Sequence, residues 1–186
     1  MMIMGPPTKF NGTRDNLAGA ECIGIGFPRR SCLIAGGPYG GRTHGGRRSA
    51  VLGPGEGRRF FFGTVKVESD TADFSVFEGS PAPGVVAAPP HVHHSYDEAF
   101  YVIEGTVDFL LGGRRERLEG GSFVLVPRGV SHGFSNPGPG EARVLIIGSP
   151  PVQKLVEEVG LLLAGGAPQL EAIAQVFQSF DSELAQ

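Results

Sequence analysis

The middle of the chain, residues 59–148, is a series of short apolar or β-branched runs separated by Gly, Pro, Ser and Asp. Runs of this kind, bounded by turn residues, predict β-strands. The pair Gly112–Gly113 between two runs predicts a hairpin turn. Many short, closely spaced strands predict a sandwich or barrel. The predicted strands lie in the segments FFFGTVKVES, DFSVFEG, EAFYVIEG, TVDFLL, RERLEGG, SFVLVP, HGFSN and ARVLIIGS.

After Pro150 the apolar residues recur at helical spacing. This pattern predicts two amphipathic helices that pack on the barrel, with Pro168 near the first turn of the second helix. We therefore predict an all-β domain over residues 49–149 and a C-terminal helical pair over residues 150–186. The predicted apolar faces comprise Val152, Leu155, Val156, Val159, Leu162 and Leu163 in the first helix, and Leu170, Ile173, Ala174, Phe177 and Phe180 in the second.

The first 48 residues differ in composition from the rest of the chain. They hold 11 of the 30 glycines and show no period of 2 or 3.6 residues. Such a segment buries too little apolar surface to offset its chain entropy, so we predict a Gly/Arg-rich, disordered tail. It carries seven basic residues against two acidic ones, whereas the whole chain has a net charge of −3. With few aromatic residues for base stacking in the tail and no helix-turn-helix pattern, we predict no nucleic-acid partner.

Signals for membrane insertion and export are absent from the sequence. No run of eighteen apolar residues occurs, and the N-terminal MMIMGPPTKFNG lacks a hydrophobic signal region and a cleavage site. The sequence therefore predicts a cytoplasmic protein with no membrane partner.

The segment HVHHSYDE, residues 91–98, holds three of the five histidines and two carboxylates. On a strand, residues i and i+2 point the same way, so His91 and His93 face the interior while His94 faces out. A short turn would let Glu98 join them, and His132 would arrive from another strand. Three nitrogens and one oxygen would leave an octahedral ion two open positions for substrate or dioxygen.

Glycines and prolines frame these residues in two blocks that resemble the two motifs of the cupin superfamily. The second block matches the usual spacing throughout, and the first has one extra residue between its glycine and its histidine. The resemblance covers residues 50–148. The first block is Gly84-x6-His91-x-His93-x4-Glu98-x6-Gly105, and the second is Gly121-x5-Pro127-x-Gly129-x2-His132-x3-Asn136.

The resemblance implies a cupin double-stranded β-helix, also called a jelly-roll barrel, that holds one divalent transition metal ion. His91, His93, Glu98 and His132 carry over as its ligands. His94 and Asp97 are expected to be exposed or supporting residues rather than ligands. The metal can be Fe, Ni, Mn, Co, Cu or Zn, because imidazole and carboxylate donors suit all six.

Within the superfamily, the chain looks most like bacterial single-domain cupins related to quercetinase. This resemblance implies a metal-dependent dioxygenase that acts with O2 on a small aromatic or enolic substrate, with Glu98 as both ligand and proton acceptor. Two alternatives stay open: a metal-dependent isomerase or lyase on a small enolisable substrate, and a non-catalytic ligand-binding cupin. Phe100 and Phe134 are candidates for an apolar substrate pocket, although either can equally be core. We also predict a homodimer, with RRFFFGTVKV as a candidate seam.

Overall fold

The computed structural model describes residues 43–44, 47–48, 51–70 and 72–185. The predicted disordered tail, residues 1–48, therefore lies outside the described residues except for two short strands. These strands, β1 (Thr43–His44) and β2 (Arg47–Arg48), pair with each other in antiparallel fashion. Of the helices in the described part of the chain, none is long and apolar enough to cross a membrane.

Two antiparallel sheets and two helices make up the remaining fold. One sheet has six strands in the order β10-β7-β12-β5-β4-β3, and the other has five in the order β13-β6-β11-β8-β9. The helices are α1 (Pro150–Ala164) and α2 (Leu170–Ser179). The first sheet contains β3 (Arg58–Phe60), β4 (Gly63–Val67), β5 (Ser75–Gly79), β7 (Glu98–Glu104), β10 (Phe123–Val126) and β12 (Arg143–Gly148). The second contains β6 (Val86–His93), β8 (Thr106–Leu111), β9 (Arg114–Glu119), β11 (His132–Ser135) and β13 (Ser182–Leu184).

The core lies between the two sheets. Strands β5 and β12 alternate buried and partly buried residues, as expected for strands with one face on a core. Phe100 of the first sheet meets Phe109 and Phe134 of the second, with ring centroids 4.9 and 5.6 Å apart. Burial of each such ring contributes about 1.5–3 kcal/mol to stability. The predicted fold, a jelly-roll barrel followed by two helices, is thereby confirmed.

Glycine permits the tightest turns of the barrel. The predicted hairpin turn joins β8 to β9, and both Gly112 (φ 56°) and Gly113 (φ 83°) have the positive φ that this two-residue turn requires. Gly105 (φ 79°) is needed for space as well, because a Cβ there would lie 2.4 Å from the carbonyl oxygen of Glu141.

The C-terminal helices form as the periodicity predicts, but not every residue of their predicted apolar faces is buried. Val152 and Leu155 of α1 and Phe177 of α2 are buried. Leu170, predicted to belong to the apolar face of α2, is the first residue of that helix and is 67% exposed. The short strand β13 was not predicted, and it adds an edge to the second sheet.

In RRFFFGTVKV, the candidate seam of the predicted homodimer, Phe60 and Val65 pack in or against the core. A second candidate seam is the edge of the first sheet. On the edge strand β10, Phe123 and Leu125 are 60% and 58% exposed, and Phe123 lies opposite the exposed Tyr101 of β7. Exposed apolar edge strands need cover. We expect light scattering at micromolar concentration to give twice the chain mass, and the double variant Phe123→Ser, Leu125→Ser to give the monomer mass. A monomer for the unaltered chain would contradict the prediction.

Candidate metal centre

Four side chains from three strands converge at one end of the barrel. Strand β6 provides His91 and His93 near its end, and β11 begins with His132, which lies opposite His91 in the ladder between the two strands. After β6 a short turn carries the chain into the other sheet, where Glu98 is the first residue of β7. The sequence-predicted set is therefore assembled from both sheets.

The donor atoms of these four residues are close enough to share one ion. One ligand atom from each residue can be chosen so that all four lie within 4.8 Å of one another. Glu98 Oε2 lies 2.9 Å from His132 Nε2 and 3.4 Å from His93 Nε2. The imidazole rings of His91 and His132 are 4.1 Å apart by their centroids. All four side chains are buried.

Hydrogen bonds to the Nδ1 atoms orient the three imidazoles. His91 Nδ1–H donates to the carbonyl oxygen of Pro89 at 2.7 Å, and His132 Nδ1–H donates to that of Val130 at 3.1 Å. A carbonyl can only accept, so Nδ1 of both rings carries a proton, and Nε2 is the ring nitrogen that can bind a metal ion, which would displace any proton held there. The Nδ1 of His93 lies 2.8 Å from the hydroxyl of Ser182. Metal-binding histidines commonly have their other nitrogen held in this way.

The electrostatics of the group also suit a cation. Burial raises the pKa of Glu98, but hydrogen bonds from His132 and His93 outweigh it and lower that pKa to about 2. Burial, assisted by the repulsion from His132, lowers the pKa of His91 to about 3. An ionised carboxylate and a neutral imidazole are the protonation states in which these residues bind metals. Because a buried carboxylate needs compensating positive charge, the quartet fits a divalent metal ion.

The neighbouring polar residues do not join the quartet. His94 lies in the bend just after β6, and its side chain is 45% exposed, with Nε2 at 3.9 Å from Glu183 Oε1. Asp97 is exposed but not simply solvated, because its carboxylate accepts hydrogen bonds from the backbone and side chain of Arg128. This pair ties the turn after β6 to the loop that leads to His132. The same two segments are joined by a bond from Gly129 N–H to the carbonyl oxygen of His93, at 2.7 Å.

A cavity of about 540 Å³ opens onto the quartet. His91, His93 and Glu98 line it, whereas His132 lies behind them, fully buried. Phe100 and Phe134 belong both to the hydrophobic core and to the cavity wall. The sequence offered these two roles as alternatives, and the structure has both. The other lining residues are almost all apolar, and they include Phe61, Phe62, Phe77, Val85, Val86, Ile146, Val152, Leu155, Val156, Val159, Leu163, Ile173 and Phe177.

Several residues of this region were not found from the sequence. The sequence pattern predicts Phe61 and Phe62 within a strand, yet they form the turn between β3 and β4 and line the cavity. Phe177 was assigned to a packing face, yet its ring lies 5.3 Å from that of His91. Ser182 was not considered at all. The helical periodicity marked Phe177 as buried, but nothing local to the sequence marked what it would be buried against.

Comparison with known proteins identifies the domain that carries this site. Residues 79–148, fewer than half of the chain, match the family described as the cupin domain, and this range includes all four residues of the quartet. An uncharacterized protein of Streptomyces coelicolor is 36% identical over 58 residues, which is 31% of this chain and 54% of that protein. The chain thus spans about half the length of the curated relative that it matches.

Solved structures that match the chain have limited similarity to it. A putative sugar phosphate isomerase from Acidithiobacillus ferrooxidans is 26% identical, with a TM-score of 0.42, over 46% of this chain and 58% of that one. KdgF from a Halomonas species is 28% identical, with a TM-score of 0.39, over 43% and 75%. A protein from Klebsiella pneumoniae with a double-stranded β-helix domain is 27% identical, with a TM-score of 0.42, over 54% and 82%.

Proposed function

We propose that this chain, which belongs to the cupin superfamily through the domain at residues 79–148, is a metal-dependent dioxygenase acting on a small aromatic or enolic substrate. The observation that carries the proposal is the contrast between the quartet and the cavity around it. Among the described residues that line the cavity, the polar side chains apart from Ser80 are His91, His93 and Glu98. Polar chemistry is thus confined to one point of an otherwise apolar pocket.

The metal ion would be held by His91, His93, Glu98 and His132. A divalent transition metal bound there would supply Lewis acidity and open coordination positions for small molecules. Iron, nickel, manganese, cobalt, copper and zinc are all compatible with three imidazoles and one carboxylate.

The substrate is inferred from what the cavity lacks. No lysine or arginine is found among its described lining residues, so the proposed metal ion would be the one cation that these residues offer to a phosphate or carboxylate on the substrate. Phe100 and Phe134 instead offer ring faces and edges to a flat apolar molecule. A cavity of about 540 Å³ suits a molecule of several fused or linked rings better than a three-carbon sugar phosphate.

Glu98 is placed to take a proton from a phenol or enol. Its carboxylate is ionised at neutral pH, because the pKa is lowered to about 2, and it is among the residues that line the cavity. The 2.9 Å hydrogen bond to His132 Nε2 fixes its orientation. The apolar walls exclude water, which strengthens the interaction between the carboxylate and a substrate hydroxyl.

The alternative is a metal-dependent isomerase or lyase, which would use the same four ligands without oxygen. A non-catalytic ligand-binding cupin is the third possibility, and it would bind an apolar molecule without converting it. The apolar cavity favours the dioxygenase over an isomerase of charged sugars, because its described walls contact a flat apolar molecule on several sides and offer a charged one no lysine or arginine.

The proposal is tested by metal analysis of the purified protein and then by oxygen uptake. We expect flavonols, other polyphenols or apolar enols to cause oxygen consumption that stops when a chelator removes the metal and resumes when the metal is returned. Sugar phosphates are expected to cause none. Conversion of an enolisable substrate without oxygen uptake would support the isomerase or lyase. Binding of these compounds without any turnover by the metal-loaded protein would support the binding cupin.

A further inference from the structure

His93 differs from the other two histidines of the quartet in what holds its Nδ1 atom. The imidazoles of His91 and His132 each bond to a carbonyl two residues earlier in their own strand or loop. His93 bonds instead to the hydroxyl of Ser182, which lies 89 residues later in the chain. The orientation of this ligand thus depends on the C-terminal strand β13.

Strand β13 lies directly along the part of β6 that carries the histidines. Ser182 is opposite His93 in the ladder, and Leu184 is opposite His91. Backbone bonds extend the contact on both sides, from His94 N–H to the carbonyl oxygen of Asp181 at 3.0 Å and from Ala185 N–H to that of Pro90 at 2.9 Å. The register of this short strand is therefore fixed by backbone bonds, and it places the hydroxyl of Ser182 beside one imidazole.

The hydroxyl of Ser182 belongs to a small buried network. It donates to the carbonyl oxygen of Phe180 at 2.9 Å, and the phenol of Tyr96 lies 2.7 Å from it. The ring of Tyr96 also stacks on that of His93, with centroids 4.6 Å apart. Since the single hydroxyl proton of Ser182 is directed to Phe180, its oxygen is free to accept from His93 Nδ1–H. This assignment makes Nε2, which faces Glu98 Oε2 at 3.4 Å, the nitrogen of His93 that is available to a metal ion.

The turn before Ser182 has an unusual backbone conformation. Asp181 has a φ of 50°, in the left-handed region that few residues other than glycine adopt, although aspartate is among those that tolerate it. A residue with a side chain is strained in this conformation, so the surrounding contacts must hold it. Its consequence is that the chain leaves α2 and enters β13 within a single turn, next to the quartet.

We propose that Ser182, supported by Tyr96, is a positioning residue of the metal centre. It fixes the ring orientation and the tautomer of His93 and so makes β13 a functional part of the site. This inference rests on the proposed metal-binding function. It predicts that the hydroxyl contributes to metal affinity although it touches neither metal nor substrate.

The test compares the Co²⁺ affinity of full-length variants in competition with a chelating dye. Ser182→Ala is expected to weaken Co²⁺ binding by about 10- to 100-fold, as found for partners that orient metal ligands, and to change the visible absorption spectrum of the bound Co²⁺. Ser182→Thr, which keeps a hydroxyl, is expected to restore both. Ser179→Ala is the matched control, because its exposed hydroxyl bonds only to the Val176 carbonyl in the same helix.

Binding of Co²⁺ by Ser182→Ala within about twofold of the unaltered chain, with an unchanged spectrum, would overturn the inference. If Ser182→Ala does not fold, Tyr96→Phe carries the test, since it retains the stacked ring and removes only the supporting phenol. A weaker affinity and a shifted spectrum in that variant support the network, and unchanged values reject it. Failure of the unaltered chain to bind Co²⁺ would instead reject the proposed metal site itself.

Discussion

Replacement of His91, His93 or His132 by alanine is expected to remove most of the bound metal. Each imidazole is one of four protein donors, and its loss leaves three donors beside a gap in a buried site. Changes to residues that merely orient metal ligands cost about 10- to 100-fold in affinity, so loss of a ligand itself should cost more than about 100-fold. Metal content per chain, measured by elemental analysis after dialysis, is the direct readout.

His94→Ala is the matched control for these variants. It removes the same kind of side chain from the position next to His93, but one that is exposed and lies just beyond the end of β6. The metal content of this variant should equal that of the unaltered chain. Equal metal loss in His94→Ala and His93→Ala would mean that the alternation of β6 does not govern ligand choice.

The three ligand variants should differ in stability once the metal is absent. His132 is fully buried and is the nearest hydrogen-bond partner of Glu98, whereas His91 and His93 border the cavity. Loss of His132 leaves a buried carboxylate with its weaker partner only, at 3.4 Å. We therefore expect the metal-free His132→Ala protein to melt at the lowest temperature of the three.

Most of the quartet could be predicted from the sequence because three of its four residues lie close together in the chain. His91 and His93 share a strand face through the two-residue period of a strand, and Glu98 follows within one turn. His132 comes from a separate strand, and only the spacing of the second block of glycine, proline and histidine identified it. The barrel was predictable for the same reason, since each strand carries its own pattern and its own turn residues.

The strand that carries the histidines was harder to delimit. Strand β6 includes Pro89 and Pro90, which ordinarily argue against a strand in a sheet interior. The prolines, which have no N–H to donate, lie at a register shift of the ladder between β6 and β11, between the paired residues Ala88 and His91. Their carbonyls still accept hydrogen bonds. That of Pro89 accepts from His91 Nδ1–H, and that of Pro90 accepts from Ala185 N–H in the C-terminal segment.

The C-terminal contribution could not be predicted at all from local patterns. Three residues, Ser182–Leu184, are too few to show alternation, and their pairing with β6 is set by the free edge of that strand. The helical periodicity of α1 and α2 gave their buried faces correctly for Val152 and Phe177. It could not reveal that the same faces close a cavity, because burial against protein and burial against an open pocket produce the same pattern.

Replacement of Glu98 by glutamine is expected to separate metal binding from chemistry. The amide retains an oxygen that can still face the ion, so much of the metal should stay. It cannot accept a proton, and loss of a general base lowers turnover by about 10²- to 10⁴-fold. Because the shape of the side chain is preserved, the effect should fall on kcat, with little change in KM. Glu104→Gln is the matched control, since Glu104 ends the same strand with an exposed side chain.

The outcome of this comparison decides the role of the carboxylate, because the two possible roles predict opposite patterns. If Glu98 acts chiefly as a ligand, Glu98→Gln will lose metal to the same extent as His93→Ala, and adding excess metal will restore turnover. If it acts as the proton acceptor, excess metal will restore nothing. Full activity at normal metal content would exclude the proton-acceptor role. The hydrogen bonds from His132 and His93 lower the pKa of Glu98 to about 2 despite its burial, which favours a carboxylate that is ionised before the substrate arrives.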